Sequence, residues 1–164
     1  MGVSGSGKSS VGEALANQYN VAFFDADDFH SAANIEKMKA GIPLTDYDRA
    51  RWLERLSRLL ADQTDVVLAC SALKRRYREQ LAGSDDAAPL YLYLSGSYAL
   101  IRHRLQERKG HYFSGDDMLR SQFNDLEEPS LSVSAHIDIA EPFDRVVQNC
   151  IEQIERHRND DTQD

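Results

Sequence analysis

Eight residues at the amino end set the narrowest limits on this chain. Gly2-Val3-Ser4-Gly5-Ser6-Gly7-Lys8-Ser9 fits the pattern G-x-x-x-x-G-K-[ST] at every fixed position, and a helical pattern follows directly. Glycines let a backbone curl around phosphate oxygens, while free amide groups and a helix N-terminus favour the anion. Lys8 is placed to reach β- and γ-phosphates, and Ser9 offers a hydroxyl to Mg²⁺. Such a loop is normally fed by a buried strand. Only Met1 precedes the first glycine, so a strand of about five apolar residues is expected upstream of it.

Downstream, apolar runs of strand length alternate with stretches of helical periodicity. The spacing predicts helices over about Gly7–Tyr19, Ser31–Ala40, Asp46–Asp62 with Thr45 as its cap, Lys74–Ala82, Ser97–Arg108, Asp116–Glu127 and Pro142–Arg158. Strands are predicted at Val21–Phe24, Val66–Cys70, Leu90–Leu94 and near His136–Ile139. Val66–Cys70 is apolar throughout rather than alternating, which marks a strand covered on both faces. Strict strand–helix alternation favours an α/β architecture with a parallel sheet, right-handed crossovers and ligands at the carboxyl ends of the strands.

A chain of 164 residues is one domain in size, expected over residues 1–158 with a polar tail at 159–164. Its formal net charge of −8 argues against a general affinity for nucleic acid, which rests on a field of Lys and Arg. No apolar run approaches the ~20 residues that span a bilayer and no signal segment opens the chain, so no membrane partner and a cytoplasmic location are expected. Cys70 and Cys150 sit in separate apolar segments without CxxC spacing and read as buried free thiols.

Asp25-Ala-Asp27-Asp28 follows the Val21–Phe24 strand, so its carboxylates emerge where the glycine loop also opens. Asp27 is the candidate to accept a substrate hydroxyl proton and to hold a Mg²⁺-bound water, with Asp25 as the alternative. Arg104 and Arg108 lie one helical turn apart and face the same way at the entrance to Gly110–Gly115, where they can close over a nucleotide.

Several blocks together resemble the gluconokinase family of P-loop small-molecule kinases. They are Asp25–His30, Asn34–Met38, Gly41–Arg49 with Trp52-Leu53, Cys70–Arg78, Arg108–Phe113, and Ser121-Gln122-Phe123 with Leu126–Pro129. The resemblance spans residues 1 to about 155. It implies a nucleoside-monophosphate-kinase-like three-layer fold with helices on both faces of the sheet and a small lid at about 109–117. It also implies a homodimer, and ATP-dependent phosphorylation of D-gluconate at its 6-hydroxyl. Arg108 then resembles a lid arginine that neutralises the transferring phosphoryl group. A sugar acid needs a charge-assisted donor beside groups that donate and accept hydrogen bonds, and His30, Lys37, Arg49, Lys74, Arg78 and Gln122 are the candidates, Arg49 and Lys74 foremost. Arg51 stands where the family commonly has Pro, and Ser114-Gly115 where a Pro-containing lid is common. A regulatory GTPase would need an Asn-Lys-x-Asp segment, which the chain lacks. A related kinase acting on shikimate or another small hydroxylated metabolite would share the loop, Asp27 and Arg108. A nucleotide-binding module with weak activity is the further alternative if the chain starts at Met1.

Overall fold

The computed structural model describes residues 1–83, 89–109 and 116–160. The glycine loop leads into α1 (Lys8–Tyr19), which ends where Asn20 turns left-handed at φ 54 and its N–H returns to the carbonyls of Ala16 and Asn17. The strand β1 (Ala22–Asp25) follows, then a single 3₁₀ turn, Ala26–Phe29, that the apolar pattern did not announce. Its cause is local: the Asp25 side chain accepts the Asp27 N–H at 3.0 Å and folds the chain back on itself. Ser31 caps α2 (Ala32–Lys39) through the Asn34 N–H. Thr45 and Asp48 form a reciprocal capping box on α3 (Asp46–Ala61).

After β2 (Val66–Ala69) the chain enters α4 (Arg75–Ala82) without a side-chain cap from Lys74. Instead the Glu127 carboxylate, from far along the sequence, accepts the Arg75 N–H at 2.6 Å. The remaining elements are β3 (Tyr91–Ser95), α5 (Tyr98–Lys109), α6 (Asp116–Asp125), β4 (Ser134–Asp138) and α7 (Phe143–Asp160). The predicted elements are all present, with ends moved by a few residues; α7 takes in Asn159 and Asp160 of the expected polar tail, and 161–164 lie outside the described residues.

The strands pair in parallel as two couples, β1 with β2 (Ala22 opposite Val66 through Asp25 opposite Ala69) and β3 with β4 (Tyr91 opposite Ser134 through Ser95 opposite Asp138). Between the couples, among the described residues, the first two make the rungs: Met1 donates to the Leu92 carbonyl at 2.5 Å and accepts from the Leu94 N–H at 2.9 Å, and Gly2 donates to the Ser71 carbonyl at 3.2 Å.

Two apolar clusters flank this arrangement. One joins Val3, Val11 and Leu15 to Leu94, Ile101, Leu119, Ile137, Ile139, Val146 and Cys150. The other gathers Trp52, Leu53 and Leu56 of α3 with Ala26, Cys70, Tyr77 and Leu81. The Trp52 indole N–H donates to the Ala26 carbonyl at 2.7 Å, fixing the 3₁₀ turn onto α3. Leu56 is fully buried, so its truncation to Ala would cost about 2–5 kcal/mol. Cys70 and Cys150 are free and buried, and burial pushes each thiol up to about 11. No helix among the described residues is long and apolar enough to cross a membrane.

Candidate active site

The glycine loop is preformed. Gly7, the residue before α1, has φ 95, a conformation that costs a side-chain-bearing residue about 1–2 kcal/mol although nothing lies within 4 Å of where its Cβ would be. Gly5 is required for a different reason, since a Cβ there would stand 2.8 Å from the Leu105 side chain of α5. The start of α1 receives no side-chain cap, so its first-turn amides are left for an anion. Lys8 arches over the loop and donates to the Val3 carbonyl at 3.1 Å; burial pulls its ammonium below the usual lysine range while Asp27 and Asp25 oppose this. Uncapped amides and a convergent lysine fit the phosphates of a nucleoside triphosphate.

Ser9 donates to the Asp25 carboxylate at 2.6 Å, and the other oxygen of Asp25 takes the Asp27 N–H. A hydroxyl and a carboxylate at this separation are hard oxygen donors suited to Mg²⁺. Asp27 stands in the 3₁₀ turn, and its carboxylate is the main charge opposing the effect of burial on both Lys8 and His30. The two aspartates thus differ in their surroundings, Asp25 being bound to the helix start and Asp27 exposed in the 3₁₀ turn, near enough to oppose the effect of burial on Lys8 and His30.

His30 stacks on Trp52 with ring centroids 4.6 Å apart and planes 9° from parallel. Burial lowers its pKa, Asp27 opposing and Arg49 reinforcing the shift. Asn34, which sequence reasoning did not single out, is 5% exposed; its side-chain amide contacts His30 Nδ1 at 3.4 Å and donates to the Asp48 carbonyl at 2.8 Å. Lys37 pairs with the Asp48 carboxylate at 2.6 Å, an interaction that, with the Thr45 N–H and hydroxyl, holds that acid down at about 2.

One turn further, Arg49 donates to the Leu44 carbonyl at 2.5 Å and touches the Tyr77 hydroxyl at 3.5 Å. Tyr77 and Arg76 both donate to the Asp46 carboxylate, and Lys74 reaches it at 3.4 Å; the tyrosine first, then the two cations, hold Asp46 at about 2. Lys74 also pairs with Asp125 at 3.1 Å, and although burial opposes it, these carboxylates keep its pKa above the usual lysine range. Gln122, one turn before Asp125 on α6, accepts the Ser4 N–H of the glycine loop at 2.6 Å.

The contacts form a circuit. It runs from the loop through Ser9, Asp25 and the 3₁₀ turn to His30, Asn34 and Lys37, across α3 to Arg49, Tyr77 and Lys74, and back through Asp125 and Gln122 to Ser4. His30, Lys37, Arg49, Lys74 and Gln122 all lie on it. Arg78 does not present its charge there: it is 6% exposed and donates to the carbonyls of Ala72 and Leu73 at 2.9 and 3.0 Å, with Ala72 in the left-handed region at φ 44. In this structure Arg78 shapes the turn that presents Lys74. Arg104 donates to the Ile139 carbonyl beyond β4 at 2.5 Å. The side chain of Arg108, and the lid segment 110–115 with Ser114 and Gly115, lie outside the described residues.

Comparison with known proteins gives this chain a lineage. The shikimate kinase family model matches residues 4–155. The thermoresistant gluconokinase of Escherichia coli (strain K12) is 41% identical over 95% of this chain and 91% of its own length, and a probable gluconokinase of Dictyostelium discoideum is 41% identical over 90% and 80%. The crystal structure of a gluconokinase from Sinorhizobium meliloti 1021 superposes with a TM-score of 0.92 at 39% identity, over 98% of this chain and 91% of that one. At such identity over nearly the whole length, the chain belongs to the gluconokinase family, a branch of the P-loop kinases that the shikimate kinase model also takes in.

Proposed function

We propose that this kinase transfers the γ-phosphoryl group of ATP to the 6-hydroxyl of D-gluconate, giving 6-phospho-D-gluconate and ADP. The observation that carries the reading is the closed circuit that ties a phosphate loop to a cluster of basic side chains, in a member of the gluconokinase family. Gluconate offers one carboxylate and a row of hydroxyls. Lys74 and Arg49, held by fixed partners on α3, α4 and α6, are the donors for the carboxylate, and His30 and Gln122 hydrogen-bond hydroxyls. Lys37 keeps Asp48, and with it the start of α3, in place.

Lys8 and the loop amides bind the β- and γ-phosphates, and Ser9 with the neighbouring carboxylates of Asp25 and Asp27 would hold Mg²⁺. Mg²⁺ supplies charge neutralisation on the transferring group. Asp27 takes the proton of the attacking hydroxyl, because both oxygens of Asp25 already accept hydrogen bonds. Arg104 and Arg108 on α5 close over the nucleotide, Arg108 neutralising the transferring phosphoryl group. The enzyme works in the cytoplasm as a homodimer.

Turnover with ATP and Mg²⁺ on gluconate, glucose and shikimate tests the reading. A site built to pair a carboxylate leaves donors unpaired when offered a neutral sugar, so gluconate is expected to react and glucose hardly at all. Comparable kcat/KM for gluconate and glucose would overturn the assignment. Preference for shikimate would move it to the acceptor named by the matching family model.

A further inference from the structure

We propose that Glu127 is a positioning residue for the acceptor site, holding the backbone on both sides of Lys74; the role rests on the assignment of Lys74 to the acceptor carboxylate. Lys74 is the residue before α4, and its carbonyl accepts the first helical bonds, from the N–H groups of Tyr77 at 3.0 Å and Arg78 at 3.3 Å. Ser, Thr, Asp or Asn at that position would bond a first-turn amide with its own side chain, and a lysine, having no acceptor, cannot. The local charge is unfavourable as well. Lys74, Arg75 and Arg76 set three cations at the positive end of the helix, and its first turn carries no acid. Local stability is thus given up to set a lysine beyond the carboxyl end of β2, and the missing support comes from elsewhere in the chain.

Glu127 supplies that support in a way that brackets the lysine. Its carboxylate accepts the Arg75 N–H at 2.6 Å, and its own N–H donates to the Leu73 carbonyl at 2.9 Å. These two contacts fall on the residues immediately after and before Lys74. Buried Arg78 donates to the same Leu73 carbonyl at 3.0 Å and to that of Ala72 at 2.9 Å. The turn is therefore held from within by Arg78 and from without by Glu127, while the Lys74 side chain reaches Asp125, two residues before Glu127, at 3.1 Å. Glu127 lies beyond the end of α6, is exposed, and fills no place in either apolar cluster. Without its carboxylate the first turn of α4 frays, and the apparent gluconate KM rises as the reciprocal of the fraction of molecules that still present Lys74. The phosphate loop takes its support from Gln122 instead, so the loss falls on gluconate and spares ATP.

Steady-state kinetics on Glu127→Ala, Glu127→Gln, Lys74→Met and the Glu127→Ala, Lys74→Met double variant test this. In Glu127→Ala the gluconate KM is expected to rise by about 5–10-fold, with the ATP KM within about twofold of the parent. Glu127→Gln keeps an oxygen for the Arg75 N–H and should restore most of the loss. Amide exchange at Arg75 should quicken by about 10-fold or more in the alanine variant and stay near the parent rate in the glutamine variant. In the Lys74→Met background Glu127→Ala should change gluconate kcat/KM no further, because the group that it positions is gone. Additive losses in the double variant, equal rises in both KM values, or a lowered melting temperature with gluconate KM unchanged would overturn the positioning role while leaving the acceptor assignment intact. A Lys74→Met chain with the parent's gluconate KM would overturn the acceptor assignment and, with it, the role of Glu127.

Discussion

Arg78 offers the sharpest separation between what a charge looks like in sequence and what it does in the fold. Its guanidinium is buried and donates to two carbonyls, those of Ala72 and Leu73. In Arg78→Met the stem is kept and the donors vanish. Leu73 retains a partner, because its carbonyl also accepts the Glu127 N–H at 2.9 Å, but the Ala72 carbonyl is left unpaired at a buried residue. An orphaned buried acceptor costs about 1–3 kcal/mol, and a hydrogen bond to a charged donor contributes about 1.5–3 kcal/mol. Relief from burying the charge offsets part of this, leaving a net loss of about 2–4 kcal/mol. For a chain of this size that lowers the melting temperature by roughly 5–15 °C. Urea denaturation measures the loss directly, and steady-state kinetics at low temperature measures its reach. Gluconate KM should rise several-fold as the Ala72–Lys74 turn loosens, with ATP KM unchanged. A variant within about 0.5 kcal/mol of the parent whose gluconate KM rises more than about 100-fold would refute this reasoning and make Arg78 a direct substrate contact.

Two further outcomes are expected. Lys8→Ala should abolish phosphoryl transfer while leaving the circular dichroism spectrum unchanged, since the ammonium donates to a loop carbonyl, that of Val3; near-normal turnover would count against the phosphate role. Asp27→Asn should lower kcat by about 10²–10⁴-fold, whereas Asp25→Asn should chiefly raise the Mg²⁺ concentration needed for half-maximal rate. The reverse pattern in a Mg²⁺ titration would exchange the two roles.

The parts legible in the sequence are those decided by near neighbours. The phosphate loop is eight consecutive residues, the Thr45 cap closes on Asp48 three positions away, and an unbroken apolar run suffices to place β2. The run Lys74-Arg75-Arg76-Tyr77-Arg78 shows where such reading stops. Five successive polar or aromatic positions end in different surroundings: Arg75 pairs with Glu79 in solvent, Arg76 and Tyr77 hold Asp46, Lys74 bridges to Asp125, and Arg78 turns inward. The partners of Arg76, Tyr77 and Lys74 come from other elements and Arg78 turns back to carbonyls just before α4, so only the Arg75–Glu79 pair follows from the helical repeat. The roles of Asn34, Asp46 and Asp125 are hidden in the sequence because their partners lie on other elements or across a loop. The two aspartates at the end of β1 read as a pair, but the 3₁₀ turn that separates their roles depends on the Asp25 side chain bonding to the backbone two residues on.

That dependence on distant partners also constrains how the site can work. Gln122 and Asp125 are three residues apart on α6, so they occupy neighbouring positions on one helical face, about 4.5 Å along the axis. One grips the phosphate loop at Ser4 and the other grips Lys74. Because a helix turn is stiff, a displacement of α6 moves both contacts together. The cation assigned to the acceptor and the loop assigned to the phosphates are therefore adjusted by a single element, the one that emerges from the segment at 110–115, and substitutions on α6 should change the KM values for ATP and for gluconate jointly rather than one at a time.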